Sequence, residues 1–91
     1  MRHSLTVDGF DGTLKELATE IANLRYDSMA KLLSYILFDL ERQSSNDKII
    51  GRSKLSDIIN KSCLHISQAI GCVQEAWVLS EPRIKEVEKR I

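Results

Sequence analysis

The sequence predicts an all-α fold: a small antiparallel helical bundle made of a short helix, two long helices and a C-terminal tail helix. The 91 residues include one Pro and four Gly, too few for a chain of short strands and turns. Apolar residues recur at three- and four-residue spacing over long segments, which is the period of an amphipathic helix. A chain of this length forms one domain. We expect a leader or extended arm over residues 1–12 and a single bundle domain over 13–91.

The charge balance bears on the class of partner. Thirteen Lys and Arg offset thirteen Asp and Glu, so the formal net charge is zero. Proteins that bind nucleic acid generally carry a basic excess, because each neutralised phosphate needs its own Lys or Arg. Ser, Thr, Asp and Gly follow His3 where a secretion signal would have an apolar core, and no apolar run approaches the roughly 20 residues of a membrane helix. We expect a cytoplasmic protein that binds neither a membrane nor nucleic acid.

A capping box predicts the start of the first helix. Thr13 is followed three residues later by Glu16, and in this motif each side chain bonds a backbone N–H at the helix start. The helical spacing of the apolar residues is then interrupted between Leu24 and Asp27. We interpret Asp27 as the N-cap of a second helix. No Gly or Pro enforces this break, so a continuous bent helix stays open as an alternative.

The second helix is predicted from about Ser28 to Gln43. Its apolar stripe consists of Met29, Leu32, Leu33, Ile36, Leu37 and Leu40. The polar cluster Ser44–Asp47 that follows is the clearest loop signal in the chain. Because this loop is short, the helices on either side of it should be antiparallel neighbours.

The third helix is the longest predicted element. It begins between Asp47 and Ser53, since Gly51 is compatible with either an early helical Gly or a turn, and it extends to about Leu79. Ten residues, nine of them apolar, lie on one side of this helix and form its main stripe: Leu55, Ile58, Ile59, Ser62, Ile66, Ala69, Ile70, Val73, Ala76 and Trp77. This pattern predicts a largely buried Trp77. Pro82 should end the helix and start a short tail helix that carries Ile84, Val87 and Ile91.

Residues 55–70 look like a helix-turn-helix, but two features of the sequence argue against that motif. The tight turn of that motif usually contains a Gly, whereas Ser62, Cys63 and Leu64 occupy the middle here and the helical repeat passes through them unbroken. One uninterrupted helix is the prediction. A modest basic edge, formed by Lys48, Arg52, Lys54 and Lys61, is either a solvated flank or a contact for an anion or an acidic partner.

No metal site, cofactor site or catalytic residue is predicted. No Cys or His has another Cys or His three or four residues away, the spacing that lets two ligands on a helix reach one ion. His65 and Cys63 are two residues apart and would point away from each other. Cys63 and Cys72 are too far apart along a helix for a disulfide, so we expect two buried free thiols.

A second apolar face is the most informative feature. Leu64, Gly71 and Val78 recur every seven residues on the side of the third helix away from its main stripe, with Cys72 and Leu79 beside them. Tyr35 and Phe38 likewise lie off the main stripe of the second helix. Two neighbouring helices with such patches suggest burial on two sides. Either a second copy of the chain covers this face, or the tail helix and the leader do.

The sequence therefore predicts association rather than catalysis. We expect a homodimer, in which the chain acts as a small regulatory or adaptor module that can also bind another protein. One alternative is a DNA-binding regulator that uses the basic edge of the long helix. A second is a small enzyme, or an enzyme subunit, whose site forms at the dimer interface.

Overall fold

The computed structural model describes residues 3–90, and their side chains as far as residue 83. Three helices make up all the regular structure of this range: α1 (Leu14–Ala22), α2 (Tyr26–Ile49) and α3 (Ser53–Arg90). The all-α prediction is confirmed. A closed bundle remains a prediction, because α2 and α3 are the only helices in extensive contact among the described residues.

Helix α1 begins with the predicted capping box. The backbone N–H of Thr13 donates to the Glu16 carboxylate (3.0 Å), and the N–H of Glu16 donates to the Thr13 hydroxyl (3.1 Å). The helix ends at Ala22 with Asn23 as its C-cap. Helices α1 and α2 are therefore separate, which excludes the continuous bent helix. None of the residues of α1 is buried.

Helix α2 begins earlier than predicted, and Asp27 is not its N-cap. Arg25 occupies that position without a side-chain capping bond. Asp27 lies in the first turn instead, where its carboxylate accepts hydrogen bonds from Nε (2.7 Å) and Nη2 (2.8 Å) of Arg25. A negative charge in the first turn is favoured by the helix dipole, so the acidic residue stabilises this helix start from inside the helix.

The predicted loop at Ser44–Asp47 is wrong, because these residues are helical and α2 continues to Ile49. The chain reverses at residues 50–52, where Gly51 has a φ of +88° that other residues rarely adopt. The predicted start of the third helix, at or before Ser53, is confirmed. Ser44 near the end of α2 contacts Ser56 and Asn60 near the start of α3, whereas Arg25 before α2 contacts Trp77 much later in α3. The two helices are therefore antiparallel and form a hairpin.

The buried strip between the two helices, called the seam below, follows alternating three- and four-residue steps. Such spacing keeps one narrow face of each helix toward its neighbour, as in coiled coils. All seam residues are buried or half-buried. They are Ala30, Leu33, Leu37, Leu40, Ser44 and Asp47 of α2, and Ser56, Ile59, Cys63, Ile66, Ile70, Val73 and Trp77 of α3.

The seam differs from the apolar stripe predicted for α3. Leu55 and Ile58 of that stripe are exposed, whereas Ser56 and Cys63, which lie outside it, are buried. Trp77 is half-buried rather than largely buried. The stripe is wider than the strip that one neighbouring helix covers, and α2 lies over one edge of it.

Pro82 does not end α3, which continues to Arg90. A helical Pro removes one backbone donor and leaves the carbonyl four residues earlier without its partner. Here that carbonyl belongs to Val78, and both Val78 and Pro82 are exposed, so water can hydrate it. The predicted tail segment is thus the last part of α3, and the side chains of Ile84, Val87 and Ile91 lie outside the described residues.

Candidate interaction surface

The second face predicted from the sequence is exposed at every position. The exposed fractions are 59% for Leu64, 67% for Val78, 84% for Leu79 and 70% for Phe38, and Tyr35 and Gly71 are also exposed. Leu64, Gly71 and Val78 form one line along α3, because residues seven apart return to nearly the same direction. Leu79 is turned about 100° from this line.

Gly71 lies in a shallow groove. Gly71, Val78 and Leu79 line it together with Gln74 and Glu75, and it encloses about 600 Å³. A Cβ placed on Gly71 would meet no atom within 4 Å. The backbone at Gly71 is helical, and glycine there costs up to about 1 kcal/mol of helix stability relative to Ala. Nothing within the described chain requires a glycine at this position.

The tail does not cover the second face. Because α3 is one helix from Ser53 to Arg90, its last turns cannot fold back over Leu64 or Val78. The described part of the leader does not cover them either, since both residues remain exposed. Within the described chain the second face of α3 has no neighbour of its own.

The open end of the hairpin is closed by an aromatic contact. The Arg25 guanidinium lies 4.9 Å from the centroid of the Trp77 ring, a cation–π distance. The same guanidinium is bonded to Asp27, and this hydrogen bond is the main cause that lowers the pKa of the Asp27 carboxyl. The contact joins the start of α2 to the seam of α3 and fixes which parts of the two helices are level.

The turn end of the hairpin is joined by a buried polar cluster that sequence reasoning missed. The Ser44 hydroxyl donates to Oδ1 of Asn60 (2.7 Å) and lies 2.9 Å from the Ser56 hydroxyl. Ser44 and Ser56 are each only 2% exposed. Buried polar groups inside a helix interface specify register, because a shifted pairing leaves them unsatisfied. The signal in the sequence was the three-four spacing that includes both serines.

The basic edge surrounds the hairpin turn. Lys48 is in the last turn of α2, Arg52 lies in the turn and Lys54 is in the first turn of α3, while Lys61 is about two helical turns further on. All four residues are exposed. The helix-turn-helix is absent as predicted, since α3 runs without interruption through residues 62–64.

The two cysteines differ in environment. Cys63 is buried in the seam and Cys72 is exposed, so the prediction of two buried thiols is wrong for Cys72. Burial raises the pKa of the Cys63 thiol, and the nearby negative charge of Glu41 adds to this effect. No cluster of three metal-binding side chains occurs among the described residues. None of the described helices is long and apolar enough to cross a membrane.

Comparisons with known proteins give no relative. No family model matches the chain, and neither a curated protein nor a solved structure matches it.

Proposed function

We propose that this protein acts by association: it forms a homodimer through the second face and serves as a small regulatory or adaptor module in the cytoplasm. The observation that carries the proposal is the imbalance between buried and exposed apolar residues. Ala30, Cys63 and Ile70 are the buried apolar residues of the described chain, whereas fifteen large apolar side chains are exposed. Five of these fifteen belong to the second face: Tyr35, Phe38, Leu64, Val78 and Leu79. Exposed apolar patches of this kind mark interaction sites in soluble proteins.

The surface area supports the same proposal. The chain exposes 7690 Å², whereas a compact folded protein of its mass exposes about 5,400 Å². The difference exceeds the roughly 800 Å² that each partner buries in a standard interface. The radius of gyration of 16.6 Å likewise exceeds the approximately 12 Å of a compact domain of this length. A second hairpin packed on the first would complete an antiparallel four-helix bundle.

The alternatives have less support. DNA binding would rest on the four basic residues around the hairpin turn, in a chain of zero net charge. An enzyme would need catalytic groups that converge in a pocket. His65 is exposed on α3 away from the seam, and the groove near the turn that brings His3, Asp47 and Arg52 together has no Ser, Thr or Cys in its lining. Association uses the exposed apolar residues directly.

The test is the molar mass in solution, measured by light scattering behind a sizing column at tens of micromolar chain. We expect a dimer for the natural sequence. Leu64→Glu should give a monomer, because two carboxylates would be buried in the interface, while far-UV circular dichroism stays helical. Gln68→Glu is the matched control: it adds the same charge one turn away on exposed surface and should remain dimeric. A monomeric natural protein under these conditions contradicts the proposal.

A further inference from the structure

We infer that the two copies pack with their hairpin turns at the same end, so that α2 of each copy lies on α3 of the other and Phe38 contacts Leu64 of the second copy. This orientation rests on the proposed function, since it presupposes the dimer. It follows from which residues of the second face are level with each other, on which side of the hairpin they lie, and how their shapes and charges match.

The seam contacts fix the heights. Ser44 is level with the segment between Ser56 and Asn60, because its hydroxyl bonds both residues. Phe38 is six residues before Ser44, and Leu64 is six residues after the midpoint of that segment. Both helices rise about 1.5 Å per residue. Phe38 and Leu64 therefore lie at the same height, one on each helix.

Both residues lie toward the same side of the hairpin. Lys31 and Ser34 of α2 and Gln74 of α3 line one pocket, so they lie on one side of the seam. Phe38 is seven residues from Lys31 and four from Ser34, so it is directed to that side as well. Gln74 also lines the groove of Gly71 and Val78, and Leu64 is seven residues before Gly71. The second face thus spans both helices.

A two-fold axis along the hairpin brings these heights together in pairs. Each copy then places α2 over α3 of the other without a shift along the helices. Phe38 meets Leu64, and one heptad away Lys31 meets Gly71. The missing side chain at Gly71 leaves room for the aliphatic stem of Lys31. Glu75 of the second copy, one turn from Gly71, then comes within reach of the Lys31 ammonium, and neither side chain is ion-paired with another described residue. Asp27, one turn before Lys31 in its own chain, is already bonded to Arg25.

The opposite orientation loses both matches. With the turns at opposite ends, α2 lies on α2 and α3 on α3. If the two-fold axis passes between Phe38 of one copy and Phe38 of the other, Lys31 faces Ser45 of the second copy and Gly71 faces Asp57 of the second copy. The large residue no longer meets the small one, and the lysine no longer meets a carboxylate. Symmetric pairing is the common solution for homodimers, and of its two forms the first gives both the Phe38–Leu64 match and the match of Lys31 with Gly71 and Glu75.

Disulfide trapping tests the orientation. In a Cys72→Ser background, Phe38→Cys and Leu64→Cys are prepared separately, mixed and oxidised with diamide. We expect a covalent dimer from the mixture and none from Phe38→Cys alone, because a disulfide needs Cα atoms within about 7 Å. Efficient self-linking of Phe38→Cys would overturn the orientation while leaving the dimer intact. A natural chain that is monomeric by light scattering would overturn the proposed function itself.

A charge exchange provides a second readout that does not remove an apolar contact. Lys31→Glu and Glu75→Lys should each weaken the dimer roughly tenfold, since two like-charge pairs replace two attractive ones. Mixing the two variants should restore dimer formation, because in the mixed dimer residue 31 of each chain again faces the opposite charge at residue 75. If the mixture stays as weak as either variant alone, the orientation is wrong.

Discussion

The two faces of α3 carry similar side chains but have different neighbours. Ile70 and Cys63 are buried against α2, whereas Leu64 and Val78 on the other side of the helix are exposed. The helix has the same regular backbone throughout, so helix formation cannot explain the difference. The position of α2 determines it. An amphipathic pattern shows which residues need cover, and only tertiary structure shows which of them the chain covers itself.

The contrast between the two faces of the hairpin is not a simple division of apolar from polar residues, because some polar residues are buried and some apolar ones are exposed. Ser44 and Ser56 are more buried than any apolar residue of the described chain. Their hydroxyls have partners, and no described buried side-chain polar atom lacks one, so this burial carries no desolvation penalty of an unpaired group. Leu64 and Val78 are not covered by any part of the described chain. Burying them against a second copy would therefore stabilise a dimer.

The largest expected effect comes from emptying the seam. Ile70→Ala should lower the free energy of unfolding by about 2–5 kcal/mol, because it removes buried apolar atoms and leaves a cavity. Denaturant unfolding followed by circular dichroism measures this. The loss should be the same at low and high protein concentration, since Ile70 contacts its own chain.

Leu64→Ala is the matched variant on the second face. In dilute solution it should change stability by less than about 0.5 kcal/mol, as expected for an exposed residue. Its cost should grow with protein concentration, because dimer formation stabilises the folded chain by mass action. An equal loss for Leu64→Ala and Ile70→Ala at high dilution would show that the chain itself covers both faces, and the comparison would fail.

A loss of stability smaller than that of Ile70→Ala is expected at the polar cluster. Ser44→Ala leaves the buried Ser56 hydroxyl without its Ser44 partner, which should cost about 1–3 kcal/mol. Asn60 is exposed, so water can replace the lost bond to its Oδ1. Ser45→Ala is the control, since Ser45 is exposed in the same helix and gains only the helix propensity of Ala. The difference between the two unfolding free energies isolates the cluster. If both variants have equal stability, the hydrogen bonds do not hold the seam at the turn end.

Features that depend on neighbouring residues were predictable from the sequence. The capping box at Thr13 and Glu16 is a local exchange of two hydrogen bonds, and the structure contains it. The all-α class and the absence of a turn at residues 62–64 also follow from local spacing, which limits the start of the third helix to the range from Asp47 to Ser53. Each of these requires only the chain within a few residues.

Features that depend on a distant partner were not predictable. The polar run at Ser44–Asp47 is typical of a loop, and only the hydroxyl and amide supplied by α3 make Ser44 a seam residue. Pro82 usually ends a helix, but its exposed position lets α3 continue. The second face was found from the sequence because seven-residue spacing marks a helical line, while its missing cover became visible only with the uninterrupted α3.

A small expected effect with opposite signs on the two sides of the comparison is at Gly71. Gly71→Ala should stabilise the dilute monomer by about 0.5–1 kcal/mol, because Ala favours the helix and its Cβ would meet no atom within 4 Å. The same methyl group would occupy the space that Lys31 of the second copy needs, so the dimer should weaken severalfold. Denaturant unfolding at high dilution gives the first quantity and sedimentation equilibrium the second. Ser67→Ala, one turn earlier and also exposed, controls for helix propensity without the change at glycine. A Gly71→Ala dimer as tight as that of the natural chain would place Gly71 outside the interface and leave its choice over Ala unexplained by association.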